Sequence, residues 1–148
     1  MSINVIMINK TKYKILNLIS KKINGELDIW KINYELLDEI NCSNNDISKI
    51  INLPKDLLIL RCTYNKITNL DNLPQNLVEL YCEHNLLNEL NNLPTKLKIL
   101  YCSYNNLLNL DYLPESLELL CCNNNLLNSF DNFPRNTFCL NNKNQKIN

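Results

Sequence analysis

A solenoid of short parallel strands is the fold this sequence predicts, and three observations predict it. The first is a phrase written four times at a spacing of twenty residues. Leu53-Pro54, Leu73-Pro74, Leu93-Pro94 and Leu113-Pro114 each open a block reading L-P-x-x-L-x-x-L-x-C-x-x-N-x-(I/L)-x-x-L, and Phe133-Pro134 keeps the position with an aromatic. Self-similarity at such a fixed period marks one supersecondary unit stacked on the next. The second is that, in rows of twenty, whole columns are apolar: Leu37, Leu57, Leu77, Leu97 and Leu117; then Ile40, Leu60, Leu80, Leu100, Leu120 and Leu140; then Cys42, Cys62, Cys82, Cys102 and Cys122. Ile47, Ile67, Leu87, Leu107 and Leu127 follow, then Ile50, Leu70, Leu90, Leu110 and Phe130. The third is the alternation inside each block, as in Ile59-Leu60-Arg61-Cys62-Thr63, which is the period of a half-buried strand.

Taken in chain order, residues 1–31 fall off the twenty-residue register and are read as an N-terminal cap. Thr11 before Ile15, Leu16, Ile19 and Ile23, with Gly25 beyond, suits a short helix. A hairpin of 3–8 and 13–18 across Asn9-Lys10-Thr11 is the rival. Trp30 and Ile32 are expected to seal the first turn, with Tyr34 in the proline position of a degenerate block. Residues 32–140 form the solenoid, about five repeats and a partial last one in which Thr137 stands for Leu and Asn142 for Cys. The tail 141–148 is polar and expected to be loose, leaving the turn around Leu120 and Cys122 thinly covered.

Within a block the strand is followed by the one invariant polar column, Asn45, Asn65, Asn85, Asn105 and Asn125. A buried amide there can serve backbone groups that a loop leaves unpaired and can bond along the stack. Twenty residues leave no room for a full helix on the return path, and proline favours an extended, polyproline-like convex side.

These blocks resemble leucine-rich repeats, and the L-P-x-x-L-x-x-L-x-C-x-x-N form is similar to the short repeats of bacterial effectors. The cysteine column with heavy Asn, Ile and Lys usage resembles the repeat proteins of Mimivirus-type giant viruses. The likeness covers roughly residues 33–140. It implies a leucine-rich repeat solenoid with a curved parallel β-sheet on a concave face that binds another protein, and it implies no catalytic residue.

Composition bounds the function further. The chain has 148 residues, one domain by length, with thirty Asn, thirteen Lys against two Arg, one Gly and no Ala, the bias of an AT-rich genome. Net charge is zero, yet residues 32–134 hold thirteen acids against six basic residues. That balance disfavours nucleic acid, whose binding rests on neutralising phosphates, and mildly favours a basic or amide-rich protein surface, although acidity also serves solubility. The start lacks the parts of a signal peptide and no stretch approaches the ~20 apolar residues that span a bilayer, so the chain is expected to be soluble and intracellular, in a host cytoplasm, without membrane contact.

Seven cysteines are read as free thiols rather than a disulfide scaffold or a metal site. Zinc cysteines come as C-x-x-C pairs converging on a point, whereas here they form a line, and a buried thiol packs as a small hydrophobe. Alternation turns Cys121 toward the concave surface, where it is open to modification. His84, the one histidine, has no catalytic partner in sequence and reads as an edge residue between Tyr64 and Tyr104. No cofactor is expected.

The outward columns define the candidate binding face: Ile59, Arg61, Glu79, Tyr81, Glu83, Ile99, Tyr101 and Leu119. Tyrosine and arginine beside exposed aliphatics have a hot-spot composition. The leading reading is a non-enzymatic protein-interaction module. The alternatives are a substrate-recruiting adaptor of a ubiquitin ligase, or a structural protein self-associating end to end through exposed strand edges.

Overall fold

The computed structural model describes residues 2–8, 11–32, 36–129, 133–134 and 137–140. Tyr34, Phe130, Asn142 and the tail 141–148 lie outside the described residues. Ten strands are present: β1 (Ser2–Ile8), β2 (Thr11–Asn17), β3 (Asn24–Asp28), β4 (Glu39–Asn41), β5 (Asp46–Ile51), β6 (Ile59–Arg61), β7 (Glu79–Tyr81), β8 (Ile99–Tyr101), β9 (Leu119–Cys121) and β10 (Phe138–Leu140). Eight of them make one sheet in the order β1-β2-β4-β6-β7-β8-β9-β10, parallel throughout except for the β1–β2 hairpin. β3 and β5 form a separate two-stranded parallel sheet on the return side of the first turns. The fold is thus a parallel-strand solenoid of about six turns.

β4 and β6–β10 are each only three residues long because the turn is only twenty. One residue per strand, Ile40, Leu60, Leu80, Leu100 or Leu120, points inward and is fully buried. Two positions later the Cys column points inward too, with Cys42, Cys62, Cys82 and Cys102 each at 0% exposure. The ladder continues past the strand: the amides of Cys42, Cys62, Cys82 and Cys102 donate to the carbonyls of Arg61, Tyr81, Tyr101 and Cys121 at 2.7–2.8 Å. Proline closes the other bend. Its carbonyl accepts from the Leu three residues on (Leu57 from Pro54, Leu77 from Pro74, Leu97 from Pro94, Leu117 from Pro114), and its missing N–H falls where the ladder needs none.

The asparagine column joins turn to turn. Asn85 Nδ2 donates to the carbonyls of Cys82 (3.1 Å) and Glu83 (3.2 Å) in its own turn and of Cys62 (3.0 Å) in the turn before. Its Oδ1 accepts from the amide of Ile67 at 3.0 Å, also in the preceding turn. Asn45, Asn65, Asn105 and Asn125 repeat the pattern, and Asn65, Asn85 and Asn105 are buried. Just before each Asn the chain is left-handed, at Asn44, Tyr64, His84, Tyr104 and Asn124, with φ between 52 and 58°. For tyrosine and histidine that conformation costs on the order of 1 kcal/mol, and the bonds of the next residue hold it in place.

At the N-terminus the hairpin, not the helix, is what forms. Leu16 and Leu18 are both fully buried, two apart as in a strand, whereas Ile19, which a helical stripe would bury, is exposed. β2 pairs antiparallel with β1 on one edge and parallel with β4 on the other, Leu16 against Ile40, so it is itself a turn of the solenoid at a spacing of twenty-four. Gly25 (φ 78°) marks a register shift in the β3–β5 pair, where Ser48 of β5 is the extra residue, rather than a helix stop. Trp30 does not seal the turn: it is 77% exposed, and Ile29 (2%) takes the inward place in a 3-10 turn, Ile29–Ile32, whose i and i+3 side chains share a side. Ile32 packs partly buried against the core as expected.

The C-terminal turn is also better covered than expected. β10 pairs with β9 in a register one residue short, Cys139 opposite Leu120, so Cys139 takes the inward place, and the Leu140 side chain lies outside the described residues. Cys139 is 1% exposed, and Leu120 and Cys122 beneath it are buried. The Cys122 and Cys139 thiols lie 3.9 Å apart. Thr137 fills the Leu position by turning its hydroxyl to the carbonyl of Leu117 at 2.9 Å.

All seven cysteines are free and buried. Cys121 departs from expectation: it faces the concave side but is only 7% exposed, hydrogen-bonded to Tyr101, and burial pushes its thiol up to about 11. Burial likewise raises Cys42 to about 12 and carries Cys62, Cys82 and Cys102 well above the usual thiol range.

These features have measurable consequences. Asn85→Ala orphans the buried Ile67 amide and removes bonds to three carbonyls, so urea unfolding should show a loss of about 3 kcal/mol; at half-buried Asn125 the loss should be smaller. Sub-kilocalorie losses at both positions would mean the column is dispensable. In the unfolded chain thiols ionise near ~8.5, while those of Cys42, Cys62, Cys82 and Cys102 stay protonated in the fold. Above that pH the folded state binds more protons, so stability should fall as pH rises toward the folded values, by roughly 1.4 kcal/mol per pH unit for each of Cys42, Cys62, Cys82 and Cys102. Cys62→Ala should make the alkaline slope shallower by one thiol's share; an unchanged slope refutes the assignment. At pH 7.5 a thiol-reactive chromophore should label the native chain, Cys121 included, only as fast as the chain opens, and rapid labelling of Cys121 would contradict its burial.

Candidate protein-binding face

With Leu60, Leu80, Leu100 and Leu120 inward, the alternate side chains of β4 and β6–β9 emerge on the concave side in three columns. Glu39, Ile59, Glu79, Ile99 and Leu119 form the first. Asn41, Arg61, Tyr81, Tyr101 and Cys121 form the second. Ser43, Thr63, Glu83, Ser103 and Asn123 continue each strand into the third, which is recessed, since Ser43 and Ser103 are each only 7% exposed. The eight residues singled out from the sequence all lie on this face, and all eight are half-buried rather than freely exposed.

Arg61 organises the middle. Its Nε donates to Glu39 Oε1 at 2.8 Å, its Nη2 lies 3.7 Å from Glu79 Oε2, and its guanidinium carbon sits 4.1 Å from the centre of the Tyr81 ring. Tyr81 in turn donates its hydroxyl to Glu79 at 2.9 Å and stacks on Tyr101 with ring centres 5.1 Å apart. Burial works against the Arg61 charge, but the hydrogen bonds with Glu39 and Tyr81 outweigh it and raise the group above its ordinary value. Burial, then Glu79, raises the Tyr81 hydroxyl. A cation over a ring, clamped by two carboxylates, loses little further freedom when a partner arrives.

A second aromatic feature runs along the sheet edge. Tyr64, His84 and Tyr104 stack with ring centres 4.1 Å apart at each step and planes 10° from parallel. The sequence reading places these residues at the edge but leaves them out of the face; three aromatic rings recurring every twenty residues in one column are the signal for the stack. His84 is thereby fixed between two rings. Glu83, next to the stack, is raised by burial, and its Oε2 is buried with no hydrogen-bond partner among the described residues. Among those residues no group of three or more His, Cys, Asp and Glu side chains could hold a metal ion, and no helix is long and apolar enough to cross a membrane.

No family model matches this chain, and no curated protein matches it. Among solved structures it is similar to YopM from Yersinia enterocolitica WA-314, with 33% identity and a TM-score of 0.68 over 72% of this chain and 24% of that one. It is also similar to the leucine-rich repeat domain of a Shigella effector, with 25% identity and a TM-score of 0.52 over 63% of this chain and 53% of that one. The chain thus spans about a quarter of the first and about half of the second. With the twenty-residue period, the inward leucines and the asparagine ladder, these likenesses identify the fold as a leucine-rich repeat solenoid.

Proposed function

We propose that this chain is a non-enzymatic protein-interaction module whose partner lies on the concave face, against Ile59, Arg61, Glu79, Tyr81, Glu83, Ile99, Tyr101 and Leu119. The observation that carries this reading is the pre-ordered group of Arg61, Tyr81 and Tyr101, set on rigid strands beside Ile99 and Leu119. Aromatic and arginine anchors held in place before binding are what interface hot spots are made of. Five parallel strands span about 25 Å, enough for one helix, an extended segment or the edge of a domain. Protein interaction is also the role that leucine-rich repeat folds like those of the effector structures support. Chemistry is poorly served here: the thiols are buried, burial raises Cys42, Cys62, Cys82 and Cys102 above the usual thiol range, and the only histidine is locked in a ring stack.

The Asn, Ile and Lys bias and the cysteine column support a giant-virus or other AT-rich source, and with it action on host proteins in the cytoplasm. The experiment is an affinity capture from host-cell lysate comparing wild type with a Tyr81→Glu/Tyr101→Glu variant, whose fold is checked by circular dichroism. Proteins held by the wild type should be lost at least about tenfold in the variant, because two hot-spot side chains each carry about 2 kcal/mol. If both capture the same set, the concave-face reading fails, and assembly through the end strands β1 and β10 becomes the better account.

A further inference from the structure

The recessed third column contains one ionisable side chain, Glu83, flanked across the strands by Thr63 and Ser103. The small neighbours leave a cavity of about 320 Å³, walled by Tyr64, Tyr101 and Tyr104, with Glu83 in its lining. We propose that this cavity takes the lysine or arginine side chain of the protein partner, its ammonium or guanidinium pairing with the Glu83 carboxylate. The proposal rests on the concave-face reading and adds to it the chemistry of the partner.

Three observations carry it. The first is the unsatisfied acceptor: Glu83 Oε2 is buried and has no hydrogen-bond donor among the described residues. A buried carboxylate oxygen is costly to leave unpaired, and a charged donor is the partner it pairs with most strongly. The two oxygens are equivalent and exchange by rotation about the broad terminal torsion, so the group can present either one without moving the backbone. The second is that, among the described residues, no basic group donates a hydrogen bond to that oxygen, although the Arg61 charge reaches Glu83 across the face. Arg61 is committed to Glu39, Glu79 and the Tyr81 ring, and His84 is held in its stack.

The third is an internal precedent. Two columns of the same face already hold a cation with a carboxylate at 2.8 Å and a tyrosine ring at 4.1 Å, and that cation is Arg61 itself. Glu83 with Tyr101 and Tyr104 repeats the carboxylate-and-ring combination around the cavity. Over the three columns Glu39, Glu79 and Glu83 face one guanidinium, so the surface carries excess negative charge that draws a cation in and repels an acidic partner. A metal ion is a poorer fit, since the cavity offers it one carboxylate. Nucleobases are a poorer fit as well, because the inner faces of the Tyr64–His84–Tyr104 stack are already covered.

The test is a nuclear magnetic resonance titration of the isotope-labelled full chain with Nα-acetyl-arginine methylamide and Nα-acetyl-lysine methylamide, and with Nα-acetyl-norleucine methylamide as the uncharged control. The two cations should give saturable shifts centred on Glu83, Tyr101 and Ser103, and norleucine should not. Glu83→Gln, which keeps size and shape, should weaken cation binding at least about tenfold, the loss expected of a charge-assisted bond. Equal shifts from norleucine, or undiminished cation binding in Glu83→Gln, overturn the proposal. The two readings separate in lysate capture. Proteins retained by Glu83→Gln but lost from the Tyr81/Tyr101 variant sink the cation pocket and leave the concave face standing. Retention by both variants sinks the face itself.

Discussion

One carboxamide per turn is what lets the rest of this molecule exist. A chain that reverses direction twice in twenty residues leaves amides and carbonyls at each bend facing the core, and buried groups of that kind must be paired. The asparagine side chain reaches three carbonyls and one amide, two of those four groups in its own turn and two in the turn before, as Asn85 does with Cys82, Glu83, Cys62 and Ile67. Leucine packing supplies the bulk of the cohesion, but it is non-directional and would tolerate slippage. The carboxamide bonds set the register of one turn on the next, and the left-handed residue before each asparagine is the backbone cost of aiming it. Cysteine in the neighbouring inward column follows from the same geometry, since a small apolar side chain fits beneath the asparagine where a leucine would overpack.

How much of this the sequence discloses depends on where the period holds. Between Leu53 and Asn128 the inward leucines, the cysteine line and the asparagine column are all where alternation and spacing place them, because each residue there meets its own equivalent across the stack. The ends have no such redundancy. β2 enters the sheet twenty-four residues before its partner, so a search at twenty discards it, and Thr11 to Ile23 then reads as easily as a helix stripe. The last block is one residue short between Thr137 and Cys139, and that deletion brings Cys139 to the inward place. Trp30 is the general lesson about size: bulk and apolarity at a cap suggest the interior, but the 3-10 turn aims Ile29 and, in part, Ile32 inward and leaves Trp30 exposed.

On the face, position was legible and environment was not. Alternation names every outward residue, yet it says nothing of who leans on whom. Arg61 lying over Tyr81 between two glutamates, and Tyr101 reaching across to shelter Cys121, depend on side-chain lengths on adjacent strands. The Tyr64–His84–Tyr104 stack needs the left-handed backbone that points these rings along the sheet edge, a conformation no propensity of tyrosine suggests. These are interactions between repeats rather than within one, and a reading that proceeds block by block passes over them.

The uniformity of the joints has a consequence for how such a chain changes over generations. Every interior turn presents to its successor's carboxamide the same carbonyl and amide, and receives from its predecessor the same pair, so an interior block can be copied or lost in frame and the two cut faces still fit. Length is therefore an easily varied property of the molecule, and with it the reach and curvature of the face. The ends resist such editing. The hairpin strand β1 and the foreshortened β10 each break the pattern of joints, and a block duplicated beyond either would meet a surface it does not match. Recombination within this gene should resize the array from its middle while leaving both of its caps untouched.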